Sequence, residues 1–211
     1  SWLKDSSIDA VIVSDPGVFS LVKKLTEIPI HVSTQANVCS IESARFWQEM
    51  GAKRIVAARE LSLRELQEIK AALPDLEIEC FIHGAMCVAY SGRCLLSAYF
   101  NRRSANTGSC TQVCRWKWAL TEEQRPGEYL PIEEDQYGSY ILSSKDLFLL
   151  NHIPKLLKSG INAGKIEGRM KSLYYVAQLC RIYRHAMNAD PADSRFWELL
   201  REESEKISHR P

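Results

Sequence analysis

Short apolar runs alternating with amphipathic stretches recur along this chain, and they limit the fold more than any other feature. Ile8 to Val13 is the first run; it ends at Ser14-Asp15-Pro16-Gly17, a turn that can start the helix over Val18 to Leu25. Ile28 to Val32 follows, ending in Ser33-Thr34-Gln35-Ala36-Asn37. A helix then begins at Ser40 or Glu42 and runs through Met50 to a stop at Gly51. Arg54 to Ala57 is the third run, ending at Arg59-Glu60, and Ser62 caps a helix toward Leu73 with Glu65 completing a capping box. Leu76 to Ile82 is the fourth. Further on, Tyr140 to Leu142 leads through Ser143-Ser144-Lys145-Asp146 into a helix near Leu147 to Lys158, and Ile161 to Ile166 is the fifth strand. Helical patterns over Ser172 to Met187 and Ser194 to Ile207 close the chain.

Apolar strands that alternate with helices of this length mean βα units and a parallel sheet. The expected fold is therefore α/β, a parallel (β/α) barrel-like domain with about five βα units and a cysteine-rich insertion. Five strands are too few to close an eight-stranded barrel, so the domain is expected to be incomplete and to belong to a larger protein. Within a single domain over 1–211, residues 79–118 form the cysteine-rich segment. Residues 119–139, acidic and broken by Pro126-Gly127 and Pro131, read as an excursion.

Parallel sheets bind ligands at the carboxyl ends of their strands. The polar residues there are Asp15, Gln35, Asn37, Arg59, Glu60, His83, Glu167 and Arg169. Singly, each serves as a cap, a turn residue or a hydrogen-bonded structural side chain. Together on one rim they mark a site, with His83, Arg59, Glu60, Glu167 and Arg169 as candidate catalytic residues.

Five of the seven cysteines fall between Glu79 and Trp118, and Cys87, Cys94, Cys110 and Cys114 have the spacing C-x6-C-x15-C-x3-C. The start of the chain has no signal-peptide pattern, and no apolar run approaches the ~18–20 residues of a membrane span. A reducing, cytoplasmic setting follows, in which clustered thiols point to metal or redox chemistry before disulfides. Four thiolates suit zinc or an iron–sulfur cluster; the C-x2-C knuckles of zinc ribbons are absent, and the spread spacing suits a larger cluster better. Cys39, Cys80 and Cys180 lie in apolar surroundings and read as core thiols. The net charge of +1 gives no global polyanion signal. Any nucleic-acid affinity is local, and Arg102, Arg103, Arg115 and Lys117, interleaved with Tyr99, Phe100, Trp116 and Trp118, form the candidate RNA-binding patch. A solvated basic face over inward aromatics is the competing reading.

Glu79-x-Phe81-x2-Gly84-Ala85-Met86-Cys87-x4-Gly92-x-Cys94-x-Leu96-Ser97 resembles the signature of the collagenase-like peptidase family U32. Ile30 to Asn37, Arg102 to Asn106 and Lys165 to Ser172 extend the resemblance over most of the chain. The resemblance implies a barrel-like α/β domain followed by a small β domain; by that comparison this chain lacks the first units and the β domain. Its activities range from metal-dependent collagen-degrading peptidases to oxygen-independent hydroxylation of RNA bases with prephenate. Related proteins carry a four-iron cluster on cysteines. Arg115-Trp116-Lys117, with Lys145-Asp146 and Lys165 to Lys171, is most similar to the branch that hydroxylates the tRNA wobble uridine. This implies tRNA and a small hydroxyl donor such as prephenate as partners.

The residues offer no H-E-x-x-H zinc helix and no G-x-S-x-G elbow for a standard peptidase. A Cys87–His83 pair leaving one strand end keeps a cysteine peptidase open, and an RNA-binding module with structural zinc is a third reading.

Overall fold

A computed structural model describes residues 3, 7–87, 89–116, 119–121, 123–124, 126–127, 130–131 and 146–207. Lys117, most of the excursion, and the lead-in from Tyr140 to Lys145 lie outside the described residues. β1 (Val11–Val13) runs into α1 (Pro16–Leu25), whose first turn is fixed by Pro16 and by the Asp15 carboxylate accepting from the Val18 N–H at 2.8 Å. β2 (Ile30–Val32), a short 3-10 turn and α2 (Ile41–Met50) follow; Ser40 caps α2, and Gly51 ends it in the left-handed region. β3 (Arg54–Val56) leads to α3 (Leu63–Ala72), where Ser62 and Glu65 form the reciprocal capping box.

β4 (Glu77–Ala85) is followed by α4 (Leu96–Asn101) and a 3-10 turn at Val113–Arg115. β5 (Ala119–Leu120) and β6 (Leu130–Pro131) pair as a small antiparallel ribbon. The remaining elements are β7 (Asp146–Phe148), α5 (Ile153–Leu157), β8 (Ala163–Ile166), α6 (Leu173–Asn188) and α7 (Ser194–Glu205).

β1, β2, β3 and β4 pair in that order, all parallel, and β8 pairs parallel with β4. The α/β class with a parallel sheet thus stands as the sequence implies. One detail differs. The helix expected from Leu147 starts only at Ile153, because Asp146–Phe148 pairs antiparallel with His83–Ala85. Pro154, which has no N–H to donate, accordingly sits in the first turn of α5 rather than inside a longer helix. Among the described residues the strands form an open sheet, as an incomplete barrel-like domain implies.

One face of the sheet is buried under the helices. Val13, Ile30, Val32, Ile55, Ile78 and Ile82 join Phe19, Trp47, Leu66, Ile69, Leu179 and Trp197 in one core. Full burial of each large apolar side chain contributes about 1.5–3 kcal/mol. The alternate strand positions carry charge. Arg54 bridges Glu77 at 2.6 Å and Glu79 at 3.2 Å, and Lys165 meets Glu79 at 2.9 Å. Among the described residues no helix is long and apolar enough to cross a membrane.

Candidate active site

The strand ends deliver their residues to one cavity of about 110 Å³. Thr34 and Gln35 come from the turn after β2, Arg59 follows β3, Ala85 to Cys87 leave β4, and Glu167 and Arg169 follow β8. Cys94, Cys110, Cys114 and Arg115 line the cavity from the insertion. The four clustered cysteines, though spread over 28 positions of sequence, therefore face one space.

Two glycines allow the close approaches this requires. At Gly84 (φ +103°) a Cβ would stand 2.3 Å from the Glu167 carbonyl oxygen, and at Gly92 (φ +77°) 1.9 Å from that of Gln35. Glycine alone fits such backbone contacts at positive φ. They hold the end of β4 against the residues after β8, and the Cys87–Cys94 loop against the turn after β2.

Polar clamps then fix the insertion. Ser91, 3% exposed, donates its N–H to Glu60 Oε1 at 2.7 Å and its hydroxyl to Oε2 at 3.1 Å. The Cys94 N–H donates to Asn106 Oδ1 at 3.0 Å. Ser97 and Thr111 join α4 to the approach to Cys114, with the Thr111 N–H donating to Ser97 Oγ at 3.0 Å. Arg169 donates to the carbonyls of Gly108 and, at 2.8 Å, Cys110. Arg115 pairs with Asp146 at 2.5 Å, and the Asp146 side chain is only 2% exposed.

Arg59 lies with its guanidinium 3.9 Å above the Phe81 ring. Cation–π contacts of this kind are worth ~0.5–2 kcal/mol and hold the group in place. Its Nε is buried and has no hydrogen-bond partner among the described residues. Burial pushes the Cys87 thiol up against the opposing pull of Arg59, and burial pushes the Cys114 thiol up against Arg115. Cys87 remains reachable by solvent, but its surroundings are concave and dense. The neighbouring cysteines push both thiols further up.

The cavity gathers Cys87, Cys94, Cys110, Cys114, Arg59, Glu167, Arg169 and Arg115. His83 and Glu60 are not among its lining residues. β4 runs on to Ala85, so His83 is an internal strand residue rather than a rim residue. It is 2% exposed and packs edge-on against Phe148 and Tyr183. The Tyr183 hydroxyl donates its one proton to the Ile82 carbonyl at 3.0 Å, so at 3.1 Å the His83 Nδ1–H is the donor to Tyr183. Glu60 serves as the anchor of Ser91. Arg115 points inward to Asp146 instead of joining an outer basic patch. Arg102 and Arg103 stand exposed where α4 ends. Asn106 and Asp146 carry structural duties that the sequence reading did not assign, since each partner lies far along the chain and no periodic signal marks it.

Four thiolates about one zinc ion at ~2.3 Å would lie about 3.8 Å from each other. No group of three or more His, Cys, Asp or Glu among the described residues gathers so as to hold a single ion. The four cysteines are among the residues that line the cavity.

A parallel α/β protein with a thiol-lined cavity at the carboxyl ends of its strands is the class that fold and site define. The chain belongs to Peptidase family U32, whose profile matches residues 1–211. It is 41% identical to tRNA hydroxylation protein P of Escherichia coli, over 96% of this chain and 53% of that protein. It is 38% identical to the 23S rRNA 5-hydroxycytidine synthase of Escherichia coli, over 89% of this chain and 27% of that protein. A collagenase of Porphyromonas gingivalis is 33% identical, over 87% of this chain and 45% of that protein. The chain thus spans about half the length of the tRNA hydroxylation protein it matches.

Proposed function

We propose that this chain is the catalytic part of an RNA hydroxylase acting on a tRNA wobble uridine, with prephenate as hydroxyl donor. Cys87, Cys94, Cys110 and Cys114 would hold a four-iron, four-sulfur cluster. The observation that carries this reading is the convergence of these four thiols on a cavity that also holds Arg59, Glu167 and Gln35. When bound, such a cluster supplies redox chemistry tuned by its surroundings.

The chain's own residues suit a small anionic donor. Prephenate carries one carboxylate on its ring and one on a side chain, and the buried Nε of Arg59 is a donor still without an acceptor among the described residues. An arginine held over the Phe81 ring is pre-organised for carboxylate recognition. Glu167 offers an acceptor across the same cavity, its Oε1 already taking the Arg169 N–H at 3.2 Å. Arg169 and Arg115 are occupied with backbone carbonyls and Asp146, so they shape the cavity wall. RNA would be gripped through its phosphates by the exposed Arg102 and Arg103, with Lys117 as a further cation of the same segment.

A peptidase reading has the collagenase relative in its favour. Its cysteine–histidine version lacks support here, because His83 is committed to Tyr183 inside the core while Cys87 faces the cavity.

The test is anaerobic purification of the intact polypeptide carrying this sequence, with iron and sulfide analysis and absorbance near about 400 nm. In parallel, tRNA from a strain lacking uridine hydroxylation is digested and weighed after complementation. The expected result is hydroxyuridine with wild type and none with Cys87→Ala, Cys94→Ala, Cys110→Ala or Cys114→Ala. Full modification by Cys94→Ala would remove the cluster, and no modification by wild type would remove the hydroxylase reading.

A further inference from the structure

From Cys80 to Thr121 the sequence contains no Asp or Glu, yet it holds Arg93, Arg102, Arg103, Arg115 and Lys117. Charge is otherwise nearly balanced, with 27 Lys and Arg against 26 Asp and Glu. This carboxylate-free stretch builds one wall of the cavity and then turns outward as α4. The buried side of α4 is polar and local: Ser97, 1% exposed, bonds Thr111. Its outer side is apolar and aromatic. Leu95 and Tyr99, four residues apart and so on one face, are 73% and 81% exposed. Phe100 stands edge-on to Tyr99 at 5.0 Å, with the rings at 89°, and props it outward.

Cations flank this platform. Arg102 ends α4 in the left-handed conformation, Arg103 follows, and Arg93 precedes the helix; all three are exposed. No ion pair of theirs occurs among the described residues, in contrast to Arg115 with Asp146. An exposed tyrosine face beside guanidinium groups, with no carboxylate nearby in the sequence, is unusual for a solvated surface. Solvated faces mix both signs, and large apolar rings gain nothing from water.

We infer that the outer face of α4 is a stacking platform for an unpaired nucleotide of the RNA substrate, with Tyr99 under the base and Arg102 and Arg103 on the flanking phosphates. This deepens the hydroxylase reading and rests on it. Duplex RNA offers no free base face to Tyr99, whereas a loop can splay one out. Cys94, which lines the cavity, directly precedes Leu95 of the platform in the chain, so the platform and the thiol-lined space are built by one continuous segment.

The experiment uses an RNA stem–loop with 2-aminopurine in its unpaired loop, and a fully paired duplex of the same length, both titrated against the intact polypeptide. Wild type is expected to bind the stem–loop more tightly than the duplex, with the stacking-induced quench of 2-aminopurine. Tyr99→Ala should weaken stem–loop binding about 5- to 100-fold and abolish the quench, whereas Tyr99→Phe should keep both, as stacking is worth ~1–3 kcal/mol per base. Arg102→Ala and Arg103→Ala should each lower the salt slope by about 1. Unchanged melting temperatures show that all four variants are folded, as the exposure of these residues implies. Unaltered affinity and quench in Tyr99→Ala, with wild-type RNA binding intact, overturns the platform and leaves the hydroxylase reading standing. Failure of wild type to bind either RNA overturns both. Equal binding of duplex and stem–loop, insensitive to Tyr99, reassigns this face to a protein contact and equally rejects the proposal.

Discussion

Replacing Glu60 by Ala should loosen the cysteine loop without unfolding the domain. The Glu60 carboxylate takes both the N–H and the hydroxyl of Ser91, at 2.7 and 3.1 Å, and Ser91 is 3% exposed. Ser91 also accepts the Arg59 N–H at 3.4 Å, and Thr34 Oγ1 lies 3.4 Å from it, but neither contact satisfies its own N–H. Loss of the carboxylate leaves a buried N–H without an acceptor, which costs about 1–3 kcal/mol. Glu60 itself is exposed, so water shares its charge and the lower half of that range applies. The effect should appear as local opening. Amide hydrogen exchange followed by mass spectrometry should show Ser91 and its neighbours exchanging about 5- to 30-fold faster, at roughly tenfold per 1.4 kcal/mol. Peptides from α1 and α6 should be unchanged. Glu60→Gln, which keeps an acceptor oxygen, should show a smaller acceleration. Equal protection of the Ser91 peptide in wild type and Glu60→Ala would refute the view that Glu60 anchors this loop.

Gly84→Ala should destabilise the chain by more than about 2 kcal/mol in denaturant unfolding, since its Cβ would stand 2.3 Å from the Glu167 carbonyl oxygen at positive φ. Leu179→Ala, which empties a fully buried position on α6, should cost about 2–5 kcal/mol in the same assay. Of the three cysteines expected in the core only Cys80 is buried; Cys39→Ser and Cys180→Ser, both exposed and outside the cavity, should leave iron content and thermal stability unchanged. Glu77→Gln should lower the melting temperature above about pH 5. The Arg54 hydrogen bond holds the Glu77 carboxyl below its ordinary value of 4.5. A depressed folded value stabilises above the unfolded one and is lost as pH falls through it, so the gap between wild type and variant should close below about pH 4.5.

The repeating units were legible because their signals are local. Ser62 and Glu65 are three apart, and Gly51 follows directly on the helix it ends, so capping chemistry places α2 and α3 almost to the residue. Asp146–Phe148 was not legible, because its strand pairing depends on His83–Ala85, a partner sixty residues away. Its own leucine and phenylalanine fit a helix or a strand equally well. Pro154 carried the usable signal, since a helix from Leu147 would have had to contain it past its first turn.

The site divides along the same line. Spacing and chemistry predict the cysteine set and the strand-end residues Arg59, Glu167 and Arg169 as neighbours, and the cavity gathers them. What each does depends on contacts that sequence spacing does not encode. Arg115 and Arg102 look alike in sequence, as cations beside aromatics. Arg115 meets Asp146, whose side chain is 2% exposed, and becomes part of the cavity wall. Arg102 ends a helix in a segment with no carboxylate and stays in solvent. The difference is set by a single acid thirty-one residues downstream. A positive charge in this segment therefore turns inward only where the fold brings a distant carboxylate to it, and the unmatched cations remain on the surface, where a polyanion can supply the missing charge.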